Sequence, residues 1–357
     1  MTGVYDTQSG NIDTQDMLYL CRREVERACA EIDSVAAISE ALQLHGLGQT
    51  ILPDEAYLGW QNEQDEHVRN LNMPGYLGGS LHVAGTKIIN GNIGNPGRGL
   101  PRASGLTLLY DSMSGRITCL MEGAYISSLR TASVSVLSAQ LLGVPRIETV
   151  AVIGAGVLAH AHIELLARSL KHVRQIRIFD LDQERIALLQ KKLAPVLEKH
   201  DISWLSVATA EEAIRPAQLI IPVTTTTTGY ISYAWLQPGA VLVNVSLDDP
   251  LPEVVFKADA VIVDDWNLVK NDPRRLLGRM YRAGQIRGPD EPASSDAACR
   301  CVDAQLGDII SGKKDGRRTD NDIILVNPFG LAIEDVALAT RVHQIARQHG
   351  WGMRLER

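Results

Sequence analysis

The stretch with the most defined chemistry in this chain of 357 residues is Gly154-Ala155-Gly156-Val157-Leu158-Ala159. It lies between an apolar run, "TVAVI", and a pattern with helical spacing. A first glycine there permits a tight strand-to-helix turn, and a second lets backbone approach a pyrophosphate. A small third residue brings the helix close to the sheet. The N–H groups opening the helix, at Val157 and Leu158, then face phosphate oxygens. Asp180 ends the next apolar run about 20 residues later, where a carboxylate accepts hydrogen bonds from a ribose diol and repels a 2′-phosphate. The pattern points to NAD more than NADP, with Arg177 on the same strand as the one counterweight. Thr224, after "LIIPV", falls where strand ends face a bound dinucleotide.

Glycine turns also join strands to helices that bind nothing, and Asp180 alone could be an ordinary cap. The joint spacing is what favours a dinucleotide. Other chemistries find little support. The five cysteines, Cys21, Cys29, Cys119, Cys299 and Cys301, have no framework spacing and read as reduced thiols. No second ligand pair accompanies Cys299 and Cys301, and His160 and His162 are two apart on a helix, so no metal is expected. No Walker loop or Ser/His/Asp arrangement is visible. Formal net charge is −7 with scattered basic residues, which argues against nucleic acid. With no signal-like segment and no apolar run of membrane length, the expectation is a cytoplasmic protein without membrane contact.

These residues need a scaffold. From Thr149 onward, apolar runs alternate with helical patterns: "TVAVIG", "QIRIFD", "WLSVA", "LIIPVT", "AVLVNVS" and "AVIVDDW". Such alternation predicts a doubly wound parallel sheet covered by helices. Earlier, "KIINGN", "GLTLLYD" and "RITCLM" read as antiparallel strands with turns between them. Helices are expected in "SVAAISEALQLHG", ending at Gly46, and "AYISSLRTASVSVLSAQLLG", ending at Gly143. "GPDEPASSDAACRCVDA" reads as loop. The fold class is therefore α/β, a Rossmann-type unit inserted in an α+β domain. The expected division is residues 131–322 for the dinucleotide unit. Residues 1–130 plus 323–357 would form the substrate-binding and dimerisation unit, with the C-terminal helix returning to it.

"LMEGAYISSLRTASVSVLSAQLLG", followed at once by the glycine turn, and the ending "GLAIEDVALA" resemble the ornithine cyclodeaminase/mu-crystallin family over nearly the whole chain. "RASGLTLLYD", "VIVDDW" and "DNDIILVNPFGLAIEDV" resemble one subgroup more closely, the N-[(2S)-2-amino-2-carboxyethyl]-L-glutamate dehydrogenases of 2,3-diaminopropionate biosynthesis in siderophore and peptide-antibiotic pathways. The resemblance implies NAD-dependent oxidation of a Cα–N bond and hydrolysis of the imine to 2-oxoglutarate and L-2,3-diaminopropionate. It implies Lys87 in "GTKIING" as a catalytic lysine and Asp249 in "NVSLDDP" as the acid/base residue, with Asp248 the adjacent alternative. Arg130 would bind a substrate carboxylate, and Arg102 and Arg69, the latter ahead of an "MPA"-like turn, would make further substrate contacts. Thr131, Ser246 and Gly330 would lie near the cofactor, and a homodimer is expected.

Such a substrate carries three carboxylates, and arginine forks suit their orientation. A single carboxylate could take the amine proton, activate water and protonate the departing amine in turn. One position departs from the subgroup: Gly59 stands in "YLGW" where an arginine is expected, leaving Arg69 or Arg98 to compensate. Two other readings stay open. A cyclodeaminase would recycle NAD and release ammonia, although "SLDDPLPEV" replaces the glycine-rich segment of those enzymes. A mu-crystallin-type protein would bind cofactor and ligand without turnover.

Overall fold

The computed structural model describes residues 16–292 and 299–356. They form two large sheets. In the first, neighbouring strands run in the order Met353–Leu355, Met17–Leu20, Ile117–Glu122, Ala103–Tyr110, Val83–Asn92, His67–Leu77 and Thr50–Ile51, and Ala56–Gln61 also pairs with His67–Leu77. All its pairings are antiparallel except that of Met17–Leu20 with Ile117–Glu122.

The segment before Leu77, expected to turn at Met73-Pro74-Gly75, is instead one strand of 11 residues. Pro74 survives there because its outer edge is open: Ala56–Gln61 pairs only as far as Asn72, and Thr50–Ile51 begins at Tyr76. A missing N–H is tolerated on such an edge. The odd-numbered residues Leu71, Met73 and Leu77 are buried together. Against this face packs the helix Ala332–His349, close enough that a Cβ on Gly75 would meet Ala332 and Ile333 at 3.2 Å.

The second sheet is parallel throughout, in the order Ser203–Ser206, Gln175–Phe179, Thr149–Ile153, Leu219–Pro222, Val241–Val243, Ile324–Val326, Ala260–Val263 and Ala304–Gln305. Its central strands are buried along their whole length, as β-branched runs covered on both faces must be. The strand order reverses between Thr149–Ile153 and Leu219–Pro222, the switch point at which such sheets bind ligands.

One expectation shifts. Ile324–Val326, assigned from sequence to the first unit, hydrogen-bonds inside the second sheet between Val241–Val243 and Ala260–Val263. The chain therefore crosses back only after Asn327, so that the loop Asn327–Leu331 joins a Rossmann strand to a helix of the other unit. Helix Ala124–Leu142 lies at the junction: Ser133 on it donates to Ser34, and Ser135 is 2.9 Å from the buried ring of His162 on helix Val157–Ser169. His162 is held neutral, its pKa pushed down to about 4 by burial. Ile286–Arg287 pairs with Arg300–Cys301, so part of the expected loop is a short parallel ladder; residues 293–298 lie outside the described residues. Among the described residues no helix is long and apolar enough to cross a membrane, and no cluster suits a metal ion.

Candidate active site

The glycine turn sits at the switch point. Gly154 has φ +105°, which a side chain resists, and a Cβ there would lie 3.0 Å from the Val223 carbonyl. Gly156 differs, having an ordinary extended backbone and nothing within 4 Å of a Cβ. Space is therefore left above the start of a 13-residue helix whose first N–H groups no side chain caps. Those are the requirements of a pyrophosphate cradle. Val157 is 74% exposed on its lip, Leu158 is half-buried, and Ala159 is fully buried against the sheet. Asp180 accepts from Ala155 N–H at 2.6 Å and Asp182 N–H at 2.9 Å, which fixes its carboxylate beside the turn. Arg177 points its guanidinium to the Glu212 carbonyl, at 2.9 Å, and to the Gln175 side chain. These residues fit a dinucleotide with a free ribose diol.

From Gly154 a chain of contacts leads to Asp249. Val223 borders the glycine; Thr224 follows it, its N–H donating to the Ser246 hydroxyl at 2.9 Å and its own hydroxyl donating to Asp249 Oδ1 at 2.7 Å. Tyr230 donates to the same oxygen at 2.9 Å. Asp249 is fully buried, and among the described residues its Oδ2 has no partner. Burial pushes its pKa up, against the hydrogen bonds of Thr224, Tyr230 and Ser246. Asp248, the alternative, is bound by Arg279 at 2.6 Å.

The basic residues come from the first unit. Lys87 sits mid-strand opposite Met73 and Thr107, on the face covered by helix Ala332–His349, and is 3% exposed. Its Nζ donates to Asp335 Oδ2 at 3.2 Å. Arg130 places Nε 3.2 Å from the same Asp335 oxygen and donates from a terminal nitrogen to Glu334 Oε2 at 2.9 Å. Gly330, with φ +93°, lies so close that a Cβ would meet the Arg130 guanidinium at 2.5 Å. Burial moves Lys87 down to about 8. Glu334 moves up to about 8, again chiefly through burial, with Arg130 opposing and Asp264 and Asp335 reinforcing. Asp264 clamps the loop by accepting from Phe329 and Gly330 N–H at 2.7 Å each.

Arg69 faces the same side of the sheet as Lys87, with Gly91 opposite it on one neighbouring strand and Gly59 on the other. Arg102 is lowered by burial and by the charge of Arg69, although much of its side chain remains exposed. Neither arginine forms an ion pair among the described residues. Arg98 is engaged by Glu66, at 2.9 and 2.7 Å, on an exposed turn. Thr131 donates to the Ser127 carbonyl within its own helix.

Three residues escaped the sequence reading: Tyr230, Glu334 and Asp335. The last two were visible as an acidic pair opening an otherwise apolar helix, "LAIEDVALA", a place where charge needs partners. Tyr230 had no comparable signal.

Residues 15–350 match the ornithine cyclodeaminase/mu-crystallin family. The chain is 32% identical over 346 residues to the N-((2S)-2-amino-2-carboxyethyl)-L-glutamate dehydrogenase of Staphylococcus aureus, covering 96% of this chain and 98% of that protein. It is 28% identical to an alanine dehydrogenase of Archaeoglobus fulgidus, over 96% of this chain and 98% of that one. Among solved structures it superposes on CmnK with a TM-score of 0.87 and 35% identity, covering 96% of this chain and 98% of that chain. An archaeal alanine dehydrogenase dimer with bound NAD aligns at a TM-score of 0.79 and 25% identity, covering 96% and 99%.

Proposed function

The chain belongs to the ornithine cyclodeaminase/mu-crystallin family, and from that premise we infer that it is an NAD-dependent oxidoreductase opening the Cα–N bond of an anionic amino acid. The specific substrate we propose is N-(2-amino-2-carboxyethyl)-L-glutamate, converted with water and NAD to 2-oxoglutarate, L-2,3-diaminopropionate and NADH. The observation that carries the reading is the bare Oδ2 of Asp249, buried while its sister oxygen is held by two hydroxyls.

NAD, held by the Gly154–Leu158 turn and Asp180, supplies the hydride acceptor. Asp249 Oδ2 takes the proton from the substrate amine so that the nitrogen lone pair can assist loss of hydride from Cα. That proton passes to solvent, the one proton the overall reaction releases; the ionised carboxylate then deprotonates the water that adds to the resulting iminium, and gives this second proton to the departing amine. Thr224 and Tyr230 hold the carboxylate in one rotamer meanwhile, and Ser246 anchors Thr224 by accepting its N–H. Arg130 and Lys87 orient the carboxylate beside the reacting carbon, which fixes the distance hydride must cross. Arg69 and Arg102, lacking acidic partners, suit the remaining carboxylates. Asp248 is a poorer acid/base group because Arg279 already occupies it.

A homodimer is part of the proposal. Strand Ala56–Gln61 is exposed throughout, and Leu58 and Ile93 are 60% and 67% exposed on the first unit, surface that a second copy would cover. The related archaeal structure is a dimer.

Incubation with NAD and the glutamate conjugate, and separately with ornithine, tests the reading. Stoichiometric NADH with 2-oxoglutarate is expected. Ammonia from ornithine without net NADH would make the protein a cyclodeaminase, and cofactor binding without either product would make it a binding protein.

A further inference from the structure

Lys87 and Arg130 are already paired. Two buried cations, from strand Val83–Asn92 and helix Ala124–Leu142, meet two fully buried carboxylates, Glu334 and Asp335, at the start of helix Ala332–His349. Above about pH 8, where Glu334 has lost its proton, a substrate carboxylate arriving at Arg130 therefore brings a negative charge into a cluster with no spare positive charge. In water such an excess would be screened, but here the groups are buried and it must be compensated locally.

We propose that Glu334 is the compensating group: it takes up a proton when a carboxylate ligand binds at Lys87 and Arg130. This rests on the carboxylate site proposed above and adds a proton balance to it. The surroundings of Glu334 select it. Arg130 is its ion-pair partner, and the incoming carboxylate competes for that guanidinium. The other groups facing it are Asp335 on its own helix and Asp264 after strand Ala260–Val263, both acidic, with Lys87 beyond Asp335 and the Leu331 N–H donating to Oε2 at 3.2 Å. Arg275 is engaged by the Pro328 and Phe329 carbonyls and faces Asp264 instead. Asp335, by contrast, keeps the Lys87 amine as its hydrogen-bond donor at 3.2 Å. Glu334 Oε1 has no partner among the described residues, so it can accept a proton without breaking a bond. The already raised pKa of Glu334 agrees with this assignment.

The test is calorimetric titration of the NADH-loaded protein at pH 8.5 with glutarate, a five-carbon dicarboxylate with neither amine nor carbonyl to react. Repeating it in buffers of different ionisation enthalpy counts the protons exchanged. Proton uptake is expected. Because Lys87, lowered to about 8, can also gain a proton at this pH, Glu334→Gln, which keeps the shape and the Leu331 contact, should bind glutarate with an uptake smaller than the native protein's by up to about one proton per site. Binding without uptake by the native protein overturns the proposal and leaves the carboxylate site standing. Equal uptake by Glu334→Gln assigns the proton elsewhere and also overturns it. If neither protein binds glutarate, the carboxylate site itself falls and the proposal falls with it.

Discussion

Tyr230 donates its hydroxyl proton to Asp249 across 2.9 Å, on the oxygen that Thr224 also holds, so only one oxygen of the carboxylate is free to react. A donor of this kind favours the charged carboxylate and opposes burial, which pushes the other way. Tyr230→Phe removes the bond while filling the same space, so the pKa of Asp249 rises further. A hydrogen bond to a charged group is worth about 1.5–3 kcal/mol, and roughly 1.4 kcal/mol is one pH unit. The limb of the kcat–pH profile that requires ionised Asp249 should move up by about one to two units. Asp249→Asn should lower kcat by about 100-fold or more with cofactor affinity kept. A profile unchanged in Tyr230→Phe would remove the tyrosine from the proton chemistry.

The two glycines of the turn should fail in different ways. Gly154→Ala places a Cβ at φ +105° against the Val223 carbonyl and should destabilise the fold by about 1–2 kcal/mol. Gly156→Val meets no protein atom within 4 Å of its Cβ. It should leave the melting temperature nearly unchanged and weaken NAD binding, because the branched side chain enters the space the phosphates need. Calorimetric binding beside thermal unfolding separates the two. Loss of stability without loss of affinity in Gly156→Val would mean the space is not a cofactor cradle.

How much of this was legible follows from how local each signal is. The turn at Gly154 and its partner Asp180 are set by spacing along one strand–turn–helix, so the residues announce themselves. The parallel strands were equally readable, since each is a continuous apolar run. Strand His67–Leu77 was not, because Pro74 argues against a strand until its open edge is known. Ile324–Val326 was recognised as a strand but assigned to the wrong sheet, since pairing is non-local. Glu334 and Asp335 were quoted within a family pattern without a role; what they do depends on Lys87 and Arg130, more than 200 residues away in sequence.

Arg69 offers a test of substrate anchoring. It sits between two glycine-bearing strands, Gly59 and Gly91 opposite it, and no carboxylate pairs with it among the described residues. If it holds a distal carboxylate equally in ground and transition states, Arg69→Met should raise KM about tenfold or more with kcat little changed. A matching fall in kcat would mean instead that Arg69 positions the reacting carbon. Gly59→Arg, which restores the residue expected in the subgroup, would bring a second cation beside Arg69, but its Cβ meets the His67 and Tyr57 rings at 2.9 Å. These rings must shift to admit it, so a small loss of stability should accompany any gain in affinity.

The buried acid at Glu334 should also be visible without any ligand. Unfolded, a glutamate releases its proton near 4.5; folded, burial delays this to about 8. Between those values the folded chain holds a proton that the unfolded chain has lost. Stability must therefore fall as pH rises through that window, by about 1.4 kcal/mol per unit where the difference is a whole proton. Lys87 acts in the adjoining window: its folded pKa is lowered to about 8 from 10.5, so from about 8 upward the unfolded chain binds the extra proton and stability recovers. Other carboxylates, such as Glu66 held down to about 2 by Arg98, Asn92 and Asn62, weaken the fold only in stronger acid. Subtracting the melting curve of Glu334→Gln from that of the native protein between pH 5 and pH 8 isolates the first term. The native protein should lose its relative stability steadily across that range; a flat difference would mean that Glu334 is ionised in the folded protein throughout, with Arg130 outweighing its burial.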